Sequence, residues 1–308
     1  MDKIATRDAY GKTLLELGSQ NNNIVVLDAD LSKSTKTNEF AKAYPERFFD
    51  MGISEQDMIG TAAGLATCGK IPFASSFAVF ATGRAYDQIR DSICYPNLNV
   101  KIAATHAGLT VGEDGATHQA LEDISLMRSL PNMTVITPAD GTSAKALIKL
   151  AAEHKGPVYI RLGRPSVPVI YQDTQQFQIG KGIKLKEGKH ISIIAAGIMV
   201  SKALEAADAL QKEGITAEVI DIHTIKPIDK DLIIDTARKT GRVITCEEHN
   251  IYGGLGSAVC EVLSENYPVR VKRIGVKDTF GESGTPDELL KKYGLTSEDI
   301  VMAARELL

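Results

Sequence analysis

Short apolar runs alternate with amphipathic stretches along the first half of the chain. The apolar runs predict β-strands at residues 24–27, 100–104 (with Lys101 interrupting), 134–136 and 157–162. The stretches between them have helical periodicity at residues 55–68, 86–94 and 141–154. Regular strand–helix alternation is typical of a parallel sheet with helices on both faces. We therefore predict an α/β domain here.

A second series of the same kind follows residue 190. It predicts strands at residues 191–195, 217–222, 242–246 and 269–274, and a helix at residues 201–213 that ends before Gly214. The polar stretch between the two series has no helical pattern and is typical of a linker. The expected fold is two consecutive α/β domains with mostly parallel sheets, at residues 1–172 and 190–308, joined by a linker at residues 173–189.

Composition narrows the class of protein. The chain has 308 residues, 44% of them hydrophobic, and a formal net charge of −4. This charge gives no electrostatic case for nucleic acid or an anionic membrane as the main partner. The start of the sequence lacks the apolar run of a signal peptide, and four scattered cysteines have no metal-binding spacing. Such thiols are typical of a reducing compartment, so we expect a cytoplasmic protein.

Residues 106–119 carry the densest set of reactive side chains. This glycine-rich segment follows a predicted strand and contains His106 and His118 with Asp114 between them. Ligands of open parallel sheets bind beyond the carboxyl ends of the strands, and histidine suits proton transfer near neutral pH. The segment is a candidate substrate loop, although a glycine-rich surface loop with incidental polar residues has the same pattern.

Residues 52–66 place a carboxylate at the start of an apolar helix. Ser54 is expected to cap the helix, and Glu55 lies in the first turn, where the helix dipole favours negative charge. Since the rest of the helix is small and apolar, we expect it to be buried and Glu55 to need a hydrogen-bond partner. An ordinary charge at a helix N-terminus explains the residues equally well.

Two further groups are consistent with ligand binding. Phe77 and Phe80 are three residues apart and could form a shelf for a flat ring, or simply pack in the core. Groups that suit phosphate are scattered along the chain, at Arg7, Ser34, Arg161 and Arg164. Taken singly, each is typical of the surface. A glycine-rich turn at residues 253–256 lacks the full spacing of a phosphate-binding motif.

Together these segments resemble transketolase. The resemblance is carried by VGEDGATHQALED (residues 111–123), SLPNMTVITPADG (129–141) and YIRLGRP (159–165), and extends from Arg7 to the end of the chain. It covers the pyrimidine-binding and C-terminal domains of the family and omits the N-terminal diphosphate-binding domain. Beta subunits of 2-oxo-acid dehydrogenases and the C-terminal part of deoxyxylulose-phosphate synthase have the same domain plan, but their counterparts of the 106–118 loop differ.

The resemblance implies a thiamine-diphosphate-dependent transferase that moves a two-carbon ketol unit from a ketose phosphate to an aldose phosphate. By this resemblance Glu55 is the carboxylate that hydrogen-bonds a ring nitrogen of the aminopyrimidine and promotes its reactive tautomer. Phe80, with Phe77 nearby, matches the aromatic wall that stacks on this ring, and Asp30 matches an aspartate near the thiazolium side at the subunit boundary.

The same resemblance implies a substrate site. Asp114 matches an aspartate that contacts a sugar hydroxyl, and His118 matches a histidine near the donor carbonyl that is a candidate for proton transfer. The implied clamp on the sugar phosphate consists of Arg7, Ser34, His106 and Arg164.

The family's diphosphate and metal motif, Gly-Asp-Gly followed by a later Asn, does not occur in this sequence. The resemblance therefore implies that a separate N-terminal subunit binds the diphosphate and Mg or Ca, and that this chain ligates no metal itself. An assembly of two plus two chains, with self-association across a two-fold axis, is expected. Two alternatives stay open: a beta-type subunit of another thiamine-diphosphate enzyme, and an inactive paralogue that only binds the partner.

Overall fold

A computed structural model describes residues 2–308. The strands are β1 (Lys3–Ala5), β2 (Ile24–Asp28), β3 (Phe48–Asp50), β4 (Ile71–Ser75), β5 (Lys101–Ala104), β6 (Thr134–Ile136), β7 (Val158–Arg161), β8 (Ser166–Pro168), β9 (Ile183–Lys186), β10 (Ile191–Ala195), β11 (Ala217–Asp221), β12 (Thr224–Lys226), β13 (Arg242–Asn250) and β14 (Arg270–Val276). The α-helices are α1 (Thr6–Gln20), α2 (Ser32–Thr35), α3 (Asn38–Ala43), α4 (Glu55–Thr67), α5 (Tyr86–Gln88), α6 (Asp123–Ser129), α7 (Gly141–Glu153), α8 (Met199–Lys212), α9 (Lys230–Thr240), α10 (Leu255–Asn266), α11 (Pro286–Lys292) and α12 (Ser297–Leu307).

The first sheet has seven strands in the order β12-β6-β7-β5-β4-β2-β3. Every pairing in it is parallel except that of β12, which joins β6 antiparallel at one edge. The central strands β2, β5 and β7 are buried along their whole length, because helices cover both faces of the sheet. β1 and β8 form a separate antiparallel pair.

The second sheet has the order β14-β13-β10-β11-β9 and is parallel except for β9. The predicted fold of two mostly parallel α/β units is therefore confirmed. β9 lies inside the predicted linker and pairs with β11, so residues 183–186 belong to the second sheet. The boundaries at residues 172 and 190 themselves stay a prediction.

Helix α7 shows how the sequence fixes a local element. Asp140 precedes the helix, and its carboxylate accepts a hydrogen bond from the Ser143 amide at 2.7 Å. Its other oxygen accepts from the amides of Ile170 and Tyr171, which ties the start of the helix to the segment that leaves the first sheet. Among residues 2–308, every helix is too short or too polar to cross a membrane.

Two local predictions need correction. Ser54 stands at the first position before α4, but its side chain makes no capping hydrogen bond. Residues 86–94 were expected to form one α-helix; only α5 is α-helical, and π-helical turns surround it at Phe80–Arg84 and Ile89–Cys94. π-turns widen a helix locally and often lie at functional sites.

Lys101 is the first residue of strand β5 and does not interrupt it. Its side chain is fully buried, and its Nζ donates to Asn99 Oδ1 at 2.6 Å and to the carbonyls of His154 and Gly156 at 2.7 and 2.8 Å. Burial lowers the pKa of this lysine to about 7. Three acceptors offset the removal of the ammonium from water.

A buried ion pair lies where the two sheets meet. The Arg161 guanidinium donates to both carboxylate oxygens of Asp123, at 2.7 and 3.1 Å, and to the backbone carbonyl of Glu248 on β13 at 2.9 Å. Tyr159 adds a 2.6 Å hydrogen bond to the same carboxylate. Strand β7, helix α6 and strand β13 are thereby joined through one side chain.

Replacement of Arg161 by Met should lower the free energy of unfolding by about 3–5 kcal/mol, since it leaves the Asp123 carboxylate buried without its cation. Urea unfolding of the purified chain measures this. The double variant Arg161→Met/Asp123→Asn should regain much of the loss, because the buried charge is gone. A double variant no more stable than the single one contradicts this account.

Candidate active site

The predicted site residues follow the carboxyl ends of parallel strands in the first sheet. These ends lie at one edge, because neighbouring strands run in the same direction. Residues after β2, β3, β4, β5 and β7 supply Asp30, Glu55, Phe77, His106 and Arg164 respectively. Side chains separated by more than a hundred residues in sequence are thus placed on one surface.

Glu55 is buried and paired with a cation. Only 4% of its side chain is exposed, as expected for a carboxylate at the start of the apolar helix α4. One guanidinium nitrogen of Arg84 contacts both Glu55 oxygens, at 3.2 and 3.3 Å. A cavity of 390 Å³ opens beside this pair and is lined by Ile53, Ser54, Glu55, Gln56 and Arg84.

Phe77 and Phe80 form an aromatic pair. Their rings are nearly parallel, with an interplanar angle of 14° and centroids 5.9 Å apart. His106 stacks on Phe77 at 3.8 Å between centroids, and the Arg84 guanidinium lies 4.2 Å from the centre of the Phe80 ring. His118 meets Phe80 edge-on at 5.2 Å.

His106 is held in one orientation by partners on both ring nitrogens. Its Nε2 accepts a hydrogen bond from Arg7 at 3.1 Å, because a guanidinium can only donate. Its Nδ1 therefore carries the proton and donates to Thr105 Oγ1 at 2.8 Å. Burial, and then the charges of Arg7 and Arg164, lower the pKa of this imidazole to about 3. Its backbone has φ of +58°, an uncommon left-handed conformation.

The four predicted clamp residues are brought together only in part. Arg7 contacts both His106 and the backbone carbonyl of Ser34, the latter at 3.1 Å. Arg164 points toward the substrate loop, where it contacts the Val111 carbonyl and lies 3.3 Å from Glu113 and 3.7 Å from Asp114. The clamp residues therefore form a cationic surface with Asp114 and Glu113 at one side.

Asp30 lies at the same sheet edge but apart from the other predicted residues. Its backbone is left-handed, with φ of +59°, and its amide donates to the Asp50 carboxylate at 3.1 Å. Within residues 2–308 the Asp30 carboxylate makes no hydrogen bond or ion pair and is exposed to solvent. This exposure is compatible with the predicted place at a subunit boundary, which stays a prediction.

The second domain supports the loop at residues 106–119. The sequence did not predict this contact. Glu248 at the end of β13 accepts a hydrogen bond from the Thr110 amide at 2.5 Å. A side chain at Gly108, where φ is +83°, would place its Cβ 2.3 Å from the Glu248 carboxyl carbon, so glycine is required there. Burial raises the pKa of Glu248 to about 7.

A second brace comes from the segment before α11. The Gln119 side-chain amide donates to the carbonyls of Leu109 at 3.1 Å and Glu282 at 2.9 Å, linking both ends of the loop to the second domain. A Cβ at Gly281 would lie 1.9 Å from Gln119 Oε1, so this contact also depends on a glycine. No local sequence pattern could have revealed contacts across 160 residues.

The backbone amides of the glycine-rich turn at residues 253–256 already bind a carboxylate of the same chain. The Glu247 carboxylate accepts hydrogen bonds from the amides of Leu255 at 2.7 Å and Gly256 at 2.8 Å, at the N-terminus of α10. The turn is therefore a carboxylate-capped helix start. Within residues 2–308, no group of three or more His, Cys, Asp or Glu is arranged to hold a metal ion.

Comparisons with known proteins agree with this arrangement. The profile for the transketolase pyrimidine-binding domain matches residues 2–169, and that for the transketolase C-terminal domain matches residues 180–300. A putative transketolase C-terminal section from Methanocaldococcus jannaschii is 53% identical over 97% of this chain and 95% of its own length. The 6-deoxy-6-sulfo-D-fructose transketolase subunit SqwH of a Clostridium species is 46% identical over 98% of this chain and 94% of its own.

A solved structure gives the same result. It is described as a split gene transketolase, inactive beta4 tetramer; it shares 62% sequence identity and superposes with a TM-score of 0.93, covering 99% of this chain and 98% of its own. Both domains and their order are thus those of one family. The chain belongs to the transketolase family, of which it contains the pyrimidine-binding and C-terminal domains.

Proposed function

We propose that this chain is the pyrimidine-side subunit of a split, thiamine-diphosphate-dependent transketolase that transfers a two-carbon ketol unit between sugar phosphates. One observation carries the proposal. An unbroken line of contacts runs from the Arg7–His106 pair, through Phe77, Phe80 and the Arg84 guanidinium, to the buried Glu55. A carboxylate, an aromatic wall and a cationic anion site are the three parts that such a reaction needs from this half of the enzyme.

The residues present fit the cofactor's pyrimidine ring. Glu55 and the Phe80 face already hold a flat, hydrogen-bonding cation, the Arg84 guanidinium, between them. A flat aminopyrimidine would find an edge-on carboxylate and a face-on aromatic ring in the same slot. Of the two phenylalanines, Phe80 is the one that stacks on the pyrimidine ring in this proposal, because His106 already covers Phe77. When bound, thiamine diphosphate supplies the nucleophilic carbon that carries the two-carbon unit.

The chain's own residues then divide the remaining tasks. Glu55 holds a proton at the pyrimidine ring nitrogen, in a place largely closed to water. His118, whose ring is roughly perpendicular to that of Phe80 at 5.2 Å between centroids, is the candidate for proton transfer at the donor carbonyl, and Asp114 accepts from a sugar hydroxyl. Arg7, Ser34 and Arg164 bind the phosphate, with two guanidinium groups opposite one dianion, and the neutral His106 accepts a hydrogen bond from Arg7 and holds its guanidinium in place.

The clamp favours transketolase over the alternative of a 2-oxo-acid dehydrogenase subunit, since 2-oxo acids carry no phosphate to hold. The relatives include a 6-deoxy-6-sulfo-D-fructose transketolase subunit and an apulose-4-phosphate transketolase subunit, so anionic ketoses other than pentose phosphates are also suitable donors to test. We propose that the protein acts in the pentose phosphate pathway, in the cytoplasm.

The proposed partner is a separate N-terminal subunit that binds the diphosphate and Mg or Ca. Two observations support it: relatives described as a section or a subunit match this chain over nearly their whole length, and Asp30 leaves a solvent-exposed carboxylate at the strand-end surface. We propose two copies of each chain, arranged around a two-fold axis.

Glu55→Gln should lower kcat of the reconstituted complex at least about a hundredfold, because an amide cannot take part in the proton relay. Steady-state turnover with a ketose phosphate measures the effect. The exposed acid of the same helix, in Asp57→Asn, is the matched control and should change kcat less than about twofold. Near-normal turnover of Glu55→Gln removes this residue from the mechanism.

Arg164→Ala should raise KM for phosphorylated sugars by about tenfold or more, because a charge-assisted contact to phosphate is worth about 1.5–3 kcal/mol. KM for the unphosphorylated sugar should change far less. The measurement is the ratio of the two KM values in wild-type and variant complexes. An equal change for both substrates rejects Arg164 as a phosphate ligand.

His106→Asn tests the neutral state of the buried imidazole, and Asn tolerates the left-handed backbone at this position. The folded pKa of about 3 is below the unfolded value near 6.5, so the stability that neutral His106 contributes is complete above pH 6.5 and lost as pH falls toward 3.

The difference in unfolding free energy between wild type and His106→Asn should therefore change by up to about 1.4 kcal/mol per pH unit between pH 6 and 4, with the wild type losing more. Urea unfolding at a series of pH values gives both curves. Parallel curves would show that the imidazole is already charged in the folded protein.

A further inference from the structure

We propose that Arg84 is a displaceable stand-in for the pyrimidine ring: its guanidinium fills the slot between Glu55 and Phe80, and thiamine diphosphate binds by exchanging places with it. The inference rests on the proposed function, because it concerns how the same pocket accepts its cofactor. Sequence reasoning assigned Arg84 no role, and none of the predicted site residues required it.

The guanidinium reproduces both contacts expected of the ring. It is planar and lies 4.2 Å from the centre of the Phe80 ring, a stacking distance. Its NH1 points at the carboxylate, 3.2 and 3.3 Å from the two Glu55 oxygens. A flat group on the aromatic face with an N–H toward Glu55 is also the description of a bound aminopyrimidine.

Arg84 and the ring cannot use these groups together. The Arg84 guanidinium lies over the Phe80 ring and contacts Glu55 at the same time, so a flat ring that used both groups would overlap it. Both carboxylate oxygens of Glu55 are engaged by a single nitrogen of Arg84. A ring nitrogen can reach Glu55 only after the guanidinium has moved.

The physical reason for a stand-in is the burial of Glu55. A carboxylate with 4% exposure is costly to leave unpaired, and the arginine removes that cost while the pyrimidine is not bound. The Arg84 side chain is 52% exposed, so an exposed ion pair is all that it gives up when it turns into water, and the cost is small.

The local backbone suits such an exchange. Arg84 ends the π-helical turn Phe80–Arg84, and its carbonyl accepts a hydrogen bond from the Gln56 side chain at 3.1 Å, which fixes the backbone next to α4. A side chain added at Gly83, immediately before it, would meet no atom within 4 Å. Because the Arg84 side chain is half-exposed, its guanidinium can turn outward while its own backbone stays attached.

Exchange predicts that removing the competitor strengthens cofactor binding. Arg84→Met keeps side-chain length but has no charge and no N–H for Glu55. In the complex with the N-terminal subunit, its Kd for magnesium thiamine diphosphate, measured by titration calorimetry, should fall about three- to tenfold below the wild-type value. Arg84→Lys, which keeps the charge but not the planar stack, should give an intermediate Kd.

Arg90→Met is the matched control, since Arg90 is 59% exposed and pairs with Asp91 away from the slot; its Kd should equal that of wild type. Raising the salt concentration should bring the wild-type and Arg84→Met values together, because screening weakens the competing ion pair. Melting temperatures of each sample without cofactor verify folding and should be lowest for Arg84→Met.

Three results have distinct meanings. A lower Kd for Arg84→Met supports the exchange. An unchanged Kd, or a higher one showing that Arg84 helps to bind the cofactor, overturns it while leaving the proposed function intact. A wild-type complex that takes up no thiamine diphosphate at all rejects the proposed function, and the stand-in role with it.

Discussion

The parallel alignment of β2, β3, β4, β5 and β7 is the constraint on which the site depends. Because these strands run in one direction, each delivers the chain to the same edge of the sheet. The chain must turn sharply there, and two predicted site residues, Asp30 and His106, each have positive φ two residues beyond a strand end. Backbone conformations of this cost persist only where the surrounding structure imposes them.

Burial then separates the surface into two electrostatic regions. At one end the imidazole of His106 is kept neutral between Arg7 and Thr105, so the positive charge is concentrated in guanidinium groups. At the other end a carboxylate is buried beside an aromatic ring. Phe77 and Phe80 lie between the two regions and keep them apart. The groups predicted to bind a phosphate and those predicted to bind a pyrimidine ring are therefore different side chains.

Hydrophobic patterns predicted the elements whose formation depends on residues close together in the sequence. The strand at residues 191–195 and the helix α7 agree closely with their apolar patterns, and the burial of Glu55 follows from the small apolar helix behind it. Strand β9 has the sequence Ile-Lys-Leu-Lys, which alternates with the period of two that is typical of an edge strand. The polar residues around it favour a linker instead, so the short alternation alone does not identify the strand.

The remaining features have no local cause. The ion pair of Arg84 with Glu55 joins residues 29 positions apart, and it depends on a π-turn that no hydrophobic pattern distinguishes from an α-turn. The contact of Glu248 with Thr110 spans 138 positions and exists only because β13 ends behind the substrate loop. Such partners become visible only after the chain has folded.

These long-range contacts hold the loop at residues 106–119 and the carboxylate of Glu55 in different ways. At the loop of residues 106–119, Glu248 accepts a hydrogen bond from Thr110 and Gln119 donates one to the Glu282 carbonyl, and Gly108 and Gly281 leave no space for a Cβ. On the cofactor side, the pairing group is a half-exposed arginine on a widened helical turn. Rigid positioning favours catalysis because it keeps reacting groups in register, whereas a site completed by a second chain must first accept its cofactor. The second domain therefore supports the loop at residues 106–119, whereas the partner of Glu55 is a half-exposed side chain of the first domain.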